Sequence, residues 1–250
     1  MFSKIKERGL NTGDLKIIAI VAMTIDHLTW LLFPGLQRVW FVCALHIIGR
    51  LTAPIMWFFI AEGSYYTKDS IKYIKRLFLF AIISHFAYSF AFGLSPLPFK
   101  SGIFNQTSVI WSLAIGATLI FTVQKHKLPT FVTVALIILA NLLSFPADWS
   151  CIAVMVPFFL YMHRGDFKKQ AVDYIIFASV YAAVYFIFID RVYAVLQLFI
   201  CLCIPLLRMY NGEVGSNKSM KWLFYIYYPA HLFLIGFIRI LLYGNVNILF

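Results

Sequence analysis

Residues 15–33 read LKIIAIVAMTIDHLTWLLF, and past Lys16 the only ionisable side chains in that run are Asp26 and His27. A bilayer's hydrocarbon core takes about 20 mostly apolar residues in helical form, so this stretch predicts a membrane span. A carboxylate and an imidazole are out of place in it, because an ionised group at the bilayer centre costs at least about 2.5 kcal/mol. Residues retained at that cost face protein or a polar cavity. The pattern recurs: His46 with Arg50, then His85, then His231 each interrupt a strongly hydrophobic run. These residues are the candidate lining of an intramembrane site.

The composition agrees with a membrane protein. Of the 250 residues, 62% are hydrophobic and 12% charged, with mean hydropathy +0.85; soluble domains are about half apolar and a quarter charged. The aromatic share of 18% suits lipid-facing surfaces and interfacial belts. The net charge of +11 forms no single patch, since Lys and Arg are scattered between apolar segments. That distribution describes topology, and nucleic acid is excluded as a partner. Cys43, Cys151, Cys201 and Cys203 all sit in apolar runs without metal-ligand spacing, which predicts packing roles and no metal. The basic N-terminus resembles a signal peptide, but the run carries Asp26-His27 and no small-residue cleavage site follows it. It reads as a retained first span.

Nine apolar runs are long enough to consider: Leu15–Phe33, Val39–Ala61, Tyr73–Phe92, Ser108–Gln124, Leu128–Phe145, Trp149–Met162, Val172–Ile189, Tyr193–Leu207 and Trp222–Tyr243, the sixth and eighth being short. The predicted fold is all-α, a polytopic helical bundle forming one domain over residues 1–250. The basic residues orient it. With the N-terminus inside, the inner segments hold Lys4, Lys6, Arg8, Lys16, Lys68, Lys72, Lys75, Arg76, Lys125, Lys127, Arg164, Lys168, Lys169, Arg208, Lys218 and Lys221, sixteen of 21. The outer loops hold Arg38, Lys100 and Arg191, while Arg50 and Arg239 fall within spans. Cytoplasmic loops carry the Lys/Arg excess, so the N-terminus is expected inside and Phe250 outside.

Depth follows at about 1.5 Å per residue. Asp26 and His27 lie roughly 16–18 Å above the inner end of the first span. His46 and Arg50 lie roughly 10–17 Å down the second, His85 about 18 Å up the third, and His231 about 14 Å up the last. Independent spans thus place ionisable groups at similar depth. His46 and Arg50, four apart, share a helix face, and Pro54 weakens that helix one turn on. Asp26 is the expected partner of Arg50, because an unpaired buried charge is far costlier than a pair. His27 points about 100° away from Asp26 and is left to face a substrate, where imidazole is suited to proton transfer near neutral pH. Tyr227 and Tyr228 precede His231 on its side of a helix loosened by Pro229, and Tyr88 and Ser89 accompany His85. A structural inter-helix hydrogen bond is the plain alternative for each histidine; His126 and His163 lie in inner loops.

At these residues the chain resembles the TraX family, named for conjugative pilin acetylation. The matching stretches are LKIIAIVAMTIDH, GRLTAPIMWFFIAEGSYYTKDSIKYIKRL and KWLFYIYYPAHL. They run from Leu15 to Leu232, loosely between Lys125 and Arg208. The resemblance implicates Asp26, His27, Gly49, Arg50, Pro54, Ala61-Glu62-Gly63, Tyr228-Pro229 and His231. Two stretches depart from the family pattern. Ser108 to Leu113 replaces an expected Asn-Val-x-Phe-Thr-Leu, and Asp148-Trp149-Ser150 replaces an expected Asp-Tyr-Gly. Both lie on the outer half, where an acceptor would enter.

The family is similar in turn to multi-span acyltransferases with a membrane-embedded histidine, and what it implies is an acyl-CoA-dependent O- or N-acetyltransferase of the bacterial cytoplasmic membrane. Acetyl-CoA would be the donor, without metal or haem. The acceptor would be an extracytoplasmic amine or hydroxyl on a surface glycan, peptide or pilin-like protein. In that reading His27 is the general base, His231 or Arg50 steadies the oxyanion, and Asp26 anchors Arg50. His46, His85, Tyr228, Ser112 and Asp148 would contact substrate, and Lys68, Lys72, Lys75 and Arg76 would attract the CoA phosphates. Positive-inside topology alone also accounts for those four cations. Two other classes fit intramembrane Asp, His and Arg: a proton-coupled transporter, against which the lack of an evident inverted repeat counts, and a haem-carrying electron carrier with two axial histidines.

Overall fold

A computed structural model describes residues 9–97, 99–126, 128–213 and 220–249, apart from the side chains of residues 220 and 221. Lys4, Lys6, Arg8, Lys127, Lys218 and Phe250, used above for topology, lie outside the described residues, as does the side chain of Lys221. Among the described residues every regular element is helical. In order they are α1 (Thr12–Leu32), α2 (Trp40–Gly49), α3 (Thr52–Tyr66), α4 (Ser70–Phe92), α5 (Val109–His126), α6 (Thr130–Ser144), α7 (Ile152–Met162), α8 (Phe167–Phe188) and α9 (Arg191–Leu198). A 3-10 turn (Phe199–Leu202), α10 (Cys203–Arg208) and α11 (Met220–Tyr243) complete the chain.

Among the described residues, seven helical runs are long and apolar enough to cross a bilayer: Thr12–Leu32, Trp40–Tyr66, Ser70–Phe92, Val109–His126, Phe167–Phe188, Arg191–Arg208 and Trp222–Tyr243. The chain is a multi-pass membrane protein. The remaining two predicted spans correspond to α6 and α7, of 15 and 11 residues. The eighth, expected to be short, is an 18-residue run held together by the 3-10 turn.

Contacts divide the chain into two compact units. The first comprises Met1–Met56, Phe167–Tyr228 and Ile248–Phe250; the second comprises Trp57–Asp166 and Pro229–Asn247. In the first unit, α1 begins with a capping box. Asn11 Oδ1 accepts from Asp14 N at 3.1 Å and Asp14 Oδ2 accepts from Asn11 N at 3.1 Å, satisfying two of the amides that a helix start leaves open. Leu10 N donates to Met209 O at 2.7 Å and Asn211 N to Leu10 O at 3.0 Å, tying the start of α1 to the end of α10. Asp190 caps α9, its Oδ1 accepting from the backbone N–H groups of Val192 and Tyr193 at 2.8 and 2.9 Å; Arg38 Nη2 reaches its Oδ2 at 2.6 Å.

The second predicted span is two helices with a break at Arg50-Leu51. Pro54 is the cause: it has no N–H to give the carbonyl of Arg50, four residues back. Irregular backbone within a span is tolerated only where protein surrounds it, and two neighbours do so here. Thr52 Oγ1 donates to Ala19 O at 3.1 Å, and Tyr174 Oη donates to Pro54 O at 2.8 Å.

In the second unit α5 is central, with Leu113, Ala114, Ile115, Gly116, Ala117, Leu119 and Ile120 all buried. The tip between α6 and α7 folds back to the start of α5: Gln106 N donates to Pro146 O at 2.7 Å and Asp148 N to Thr107 O at 2.8 Å. Trp149 and Ser150 in this tip have φ of 61° and 45°, the left-handed region that L side chains disfavour. The Ser150 Oγ donates to Phe145 O at 3.0 Å. Trp149 meets Trp57 edge to face, ring centres 5.3 Å apart. Arg239, 1% exposed, donates to the carbonyls of Gly244, Val246 and Phe90 at 3.0, 2.7 and 3.1 Å, which fastens the chain after α11 to the end of α4.

Candidate functional site

In the first unit the helix break delivers Arg50 beside α1. Arg50 Nη2 lies 3.5 Å from Asp26 Oδ1, the pairing that charge burial predicted. The shorter contact on the same oxygen comes from His46, whose Nδ1 is 2.9 Å away. His46, expected to meet substrate, spends its Nδ1 on Asp26. Arg50 is further fixed by donating from Nη1 to Gln197 Oε1 at 3.3 Å and from Nε to His46 O at 3.4 Å. His46 is 0% exposed and Arg50 6%. Taking one member from such a buried pair strands the other and costs about 3–5 kcal/mol.

Asp26 is thus anchored through Oδ1 alone. Its Oδ2 makes no hydrogen bond among the described residues, and the side chain keeps 17% of its surface. Gly49 makes the arrangement possible, because a Cβ there would overlap the carboxyl atoms of Asp26. Two buried nitrogens in the cluster, His46 Nε2 and Gln197 Nε2, have no partner among the described residues. Aromatic rings surround the His46 imidazole, Trp30 at 4.8 Å and Tyr193 at 5.6 Å between centres. His27, half-buried, points elsewhere on α1 and meets Tyr228 edge to face at 6.3 Å. Thr24 and Tyr227 share a hydrogen bond of 2.6 Å one turn below.

The other expected site residues fall in the second unit. His231 is buried on α11. His85 Nε2 donates to Pro96 O at 2.9 Å, pinning the loop after α4. Ser112 is fully buried, its Oγ donating to Ser144 O at 3.4 Å, so it serves the packing of α5 on α6. Asp148 is half-buried in the α6–α7 tip. Lys68, Lys72 and Lys75 are exposed around the start of α4, and Arg76 is half-buried with its guanidinium 5.4 Å from the Tyr73 ring. Lys72 pairs with Asp69 at 3.2 Å, a solvated contact of little energetic weight.

Gln197 signalled itself in the sequence only as an amide in an apolar run. Gly49 and Glu62 were implicated by the family resemblance alone, without a role, and the structure gives each one a partner. Glu62 takes a two-point contact from Arg164, Nε to Oε1 at 2.8 Å and Nη2 to Oε2 at 3.1 Å. Tyr66 Oη accepts from the same guanidinium at 2.8 Å, and the Tyr65 ring lies 3.6 Å from it. Burial pulls the Arg164 pKa down, and the hydrogen bonds and charge of Glu62 outweigh it, leaving the guanidinium above its ordinary value. Arg239 was placed only within a span, and nothing in its sequence neighbourhood announced a ring of carbonyls. No group of three or more His, Cys, Asp or Glu suited to a metal occurs among the described residues.

Comparison with known proteins places this geometry. Residues 12–239 match the family described as TraX protein. A relative from Dichelobacter nodosus, named "Probable fimbrial assembly protein FimC, serogroup H1", is 27% identical over 232 residues, covering 89% of this chain and 93% of the relative. No solved structure matches significantly. The family match takes in α1 with Asp26 and His27, the broken span with Arg50, and α11 as far as Arg239, and so nearly the whole helical bundle. This multi-pass bacterial membrane protein belongs to the TraX family.

Proposed function

We propose that the protein is an acyltransferase that moves acetyl from cytoplasmic acetyl-CoA to an amine or hydroxyl of an extracytoplasmic acceptor. The observation that carries this reading is the half-engaged carboxylate of Asp26. His46 and Arg50 hold Oδ1, while Oδ2 remains able to accept from an acceptor N–H or O–H. A carboxylate held in that way orients an acceptor next to His27. As the acceptor atom bonds to the thioester carbonyl carbon, His27 takes its proton. The C–S bond then breaks and the CoA thiolate leaves, to be protonated from the imidazolium. Arg50, beside Asp26, is a cation placed to steady the oxyanion; a similar role for His231 rests on the family resemblance. The exposed Lys68, Lys72 and Lys75 suit a polyanionic donor approaching from the inner side. The fimbrial assembly role in the relative's name favours a pilin-like protein over a glycan as acceptor.

The test is acetyl-CoA turnover by the detergent-solubilised protein with a permissive amine, at equal expression. Losing a general base costs about 10²–10⁴-fold in rate, so His27→Ala abolishes transfer while the exposed His126→Ala retains it. Equal activity in the two variants removes His27 as the base. The proton-coupled transporter is the second reading, favoured by the buried, half-satisfied imidazole of His46. A wild-type protein that consumes no thioester but moves protons in vesicles would establish it, and a haem absorption band would establish the electron carrier.

A further inference from the structure

Where α8 meets α9 in the first unit there is a groove of about 330 Å³, open on one side and lined by apolar side chains alone. Ala182, Ala183 and Phe186 form one wall and Ala194, Val195 and Leu198 the other. Three alanines at these positions create the depression, since any longer side chain would fill it. Ile187, which also lines the groove, and its neighbour Phe188 are strongly exposed, so this wall faces hydrocarbon up to the turn that joins the helices.

The charges at its end identify the occupant. Arg38 and Asp190 pair at 2.6 Å and neutralise each other. Arg191, the first residue of α9, is exposed and has no ion pair among the described residues. Its guanidinium lies 5.4 Å from the centre of the Phe186 ring, which is part of the groove wall. Ala194 to Leu198 lie roughly 5–10 Å further along the helix axis. A cation at the rim and an apolar trough running away from it match a phosphate with its acyl chain.

We propose that this groove binds one acyl chain of an anionic glycerophospholipid of the bilayer, with its phosphate on Arg191. The site is independent of the transferase reading. One cation beside an anionic headgroup is worth about a fivefold preference.

Native mass spectrometry of the full chain, exchanged in detergent against phosphatidylglycerol or phosphatidylcholine, tests it. The wild type should retain one phosphatidylglycerol about fivefold more often than phosphatidylcholine. Arg191→Gln should equalise the two lipids, and Ala183→Leu should release both. Lys100→Gln, which alters another outer-loop cation, should change neither. Helix content by circular dichroism confirms that each variant is folded. Equal retention of the two lipids by the wild type overturns the proposal, as does a preference that survives Arg191→Gln. A dimer mass that Ala183→Leu dissociates would assign the groove to a second copy of the chain and also overturn it.

Discussion

Gly49 determines where the carboxylate of Asp26 can lie, and its replacement separates two opposing effects. Alanine within a helix is ordinarily favoured over glycine by about 1 kcal/mol. Here the added Cβ would overlap Asp26, and overpacking typically costs about 1–3 kcal/mol. Gly49→Ala should therefore lower the melting temperature in detergent; a rise would mean that Asp26 does not rest on this backbone. The ion pair gives a second expectation. Asp26→Leu or Arg50→Met alone should destabilise by about 3–5 kcal/mol, and the two together by less than their sum. A double-mutant cycle read from unfolding in detergent measures the difference, and strict additivity would deny the coupling. Proximity of Asp26 and Arg50 was legible in the sequence because charge burial leaves few options. That His46 makes the closer contact was not. It depends on the side-chain angles of α2 at the Arg50 break, which spacing does not encode.

The turn between α8 and α9 depends on Asp190, which accepts two backbone N–H groups and Arg38 at once. Burial raises its pKa, and the hydrogen bonds from Tyr193, Arg38 and Val192 outweigh burial, so the carboxyl sits below its usual value. A pKa lower in the folded than in the unfolded state stabilises the fold above the unfolded value, near pH 4, and that stabilisation drains away as pH falls through the folded value. Asp190→Asn keeps the cap but loses the charge facing Arg38, so it should cost up to about 1 kcal/mol near neutrality and progressively less as pH falls below about 4, measured as melting temperature against pH. A constant deficit across the range would show that the charge is irrelevant there. Helix existence was readable for all nine apolar runs. Their interruptions were partly so: Pro54 announced the break in the second span, while the 3-10 turn after α9 has no marker of its own. The left-handed Trp149 and Ser150 were likewise hidden, since neither residue type advertises positive φ.

For the molecule as a whole, the short α6 and α7 leave the topology unchanged. They are consecutive, so counting both as crossings or neither preserves the side on which every later segment falls. The basic-residue asymmetry therefore still puts the N-terminus inside. Reporter fusions after Lys127 should read as cytoplasmic and fusions after Arg191 as external; the opposite result at either point would mean an odd number of misassigned spans before it. The distribution of chemistry between the units could not be read from a linear chain, because α3 and α11 each contribute to both. The tryptophan pair of the second unit offers a way to watch that division. Two indoles held edge to face at 5.3 Å couple their electronic transitions and give a paired positive and negative band in circular dichroism. Both rings belong to the second unit, so this optical signature should fade when that unit loosens, even while the first unit keeps its helices.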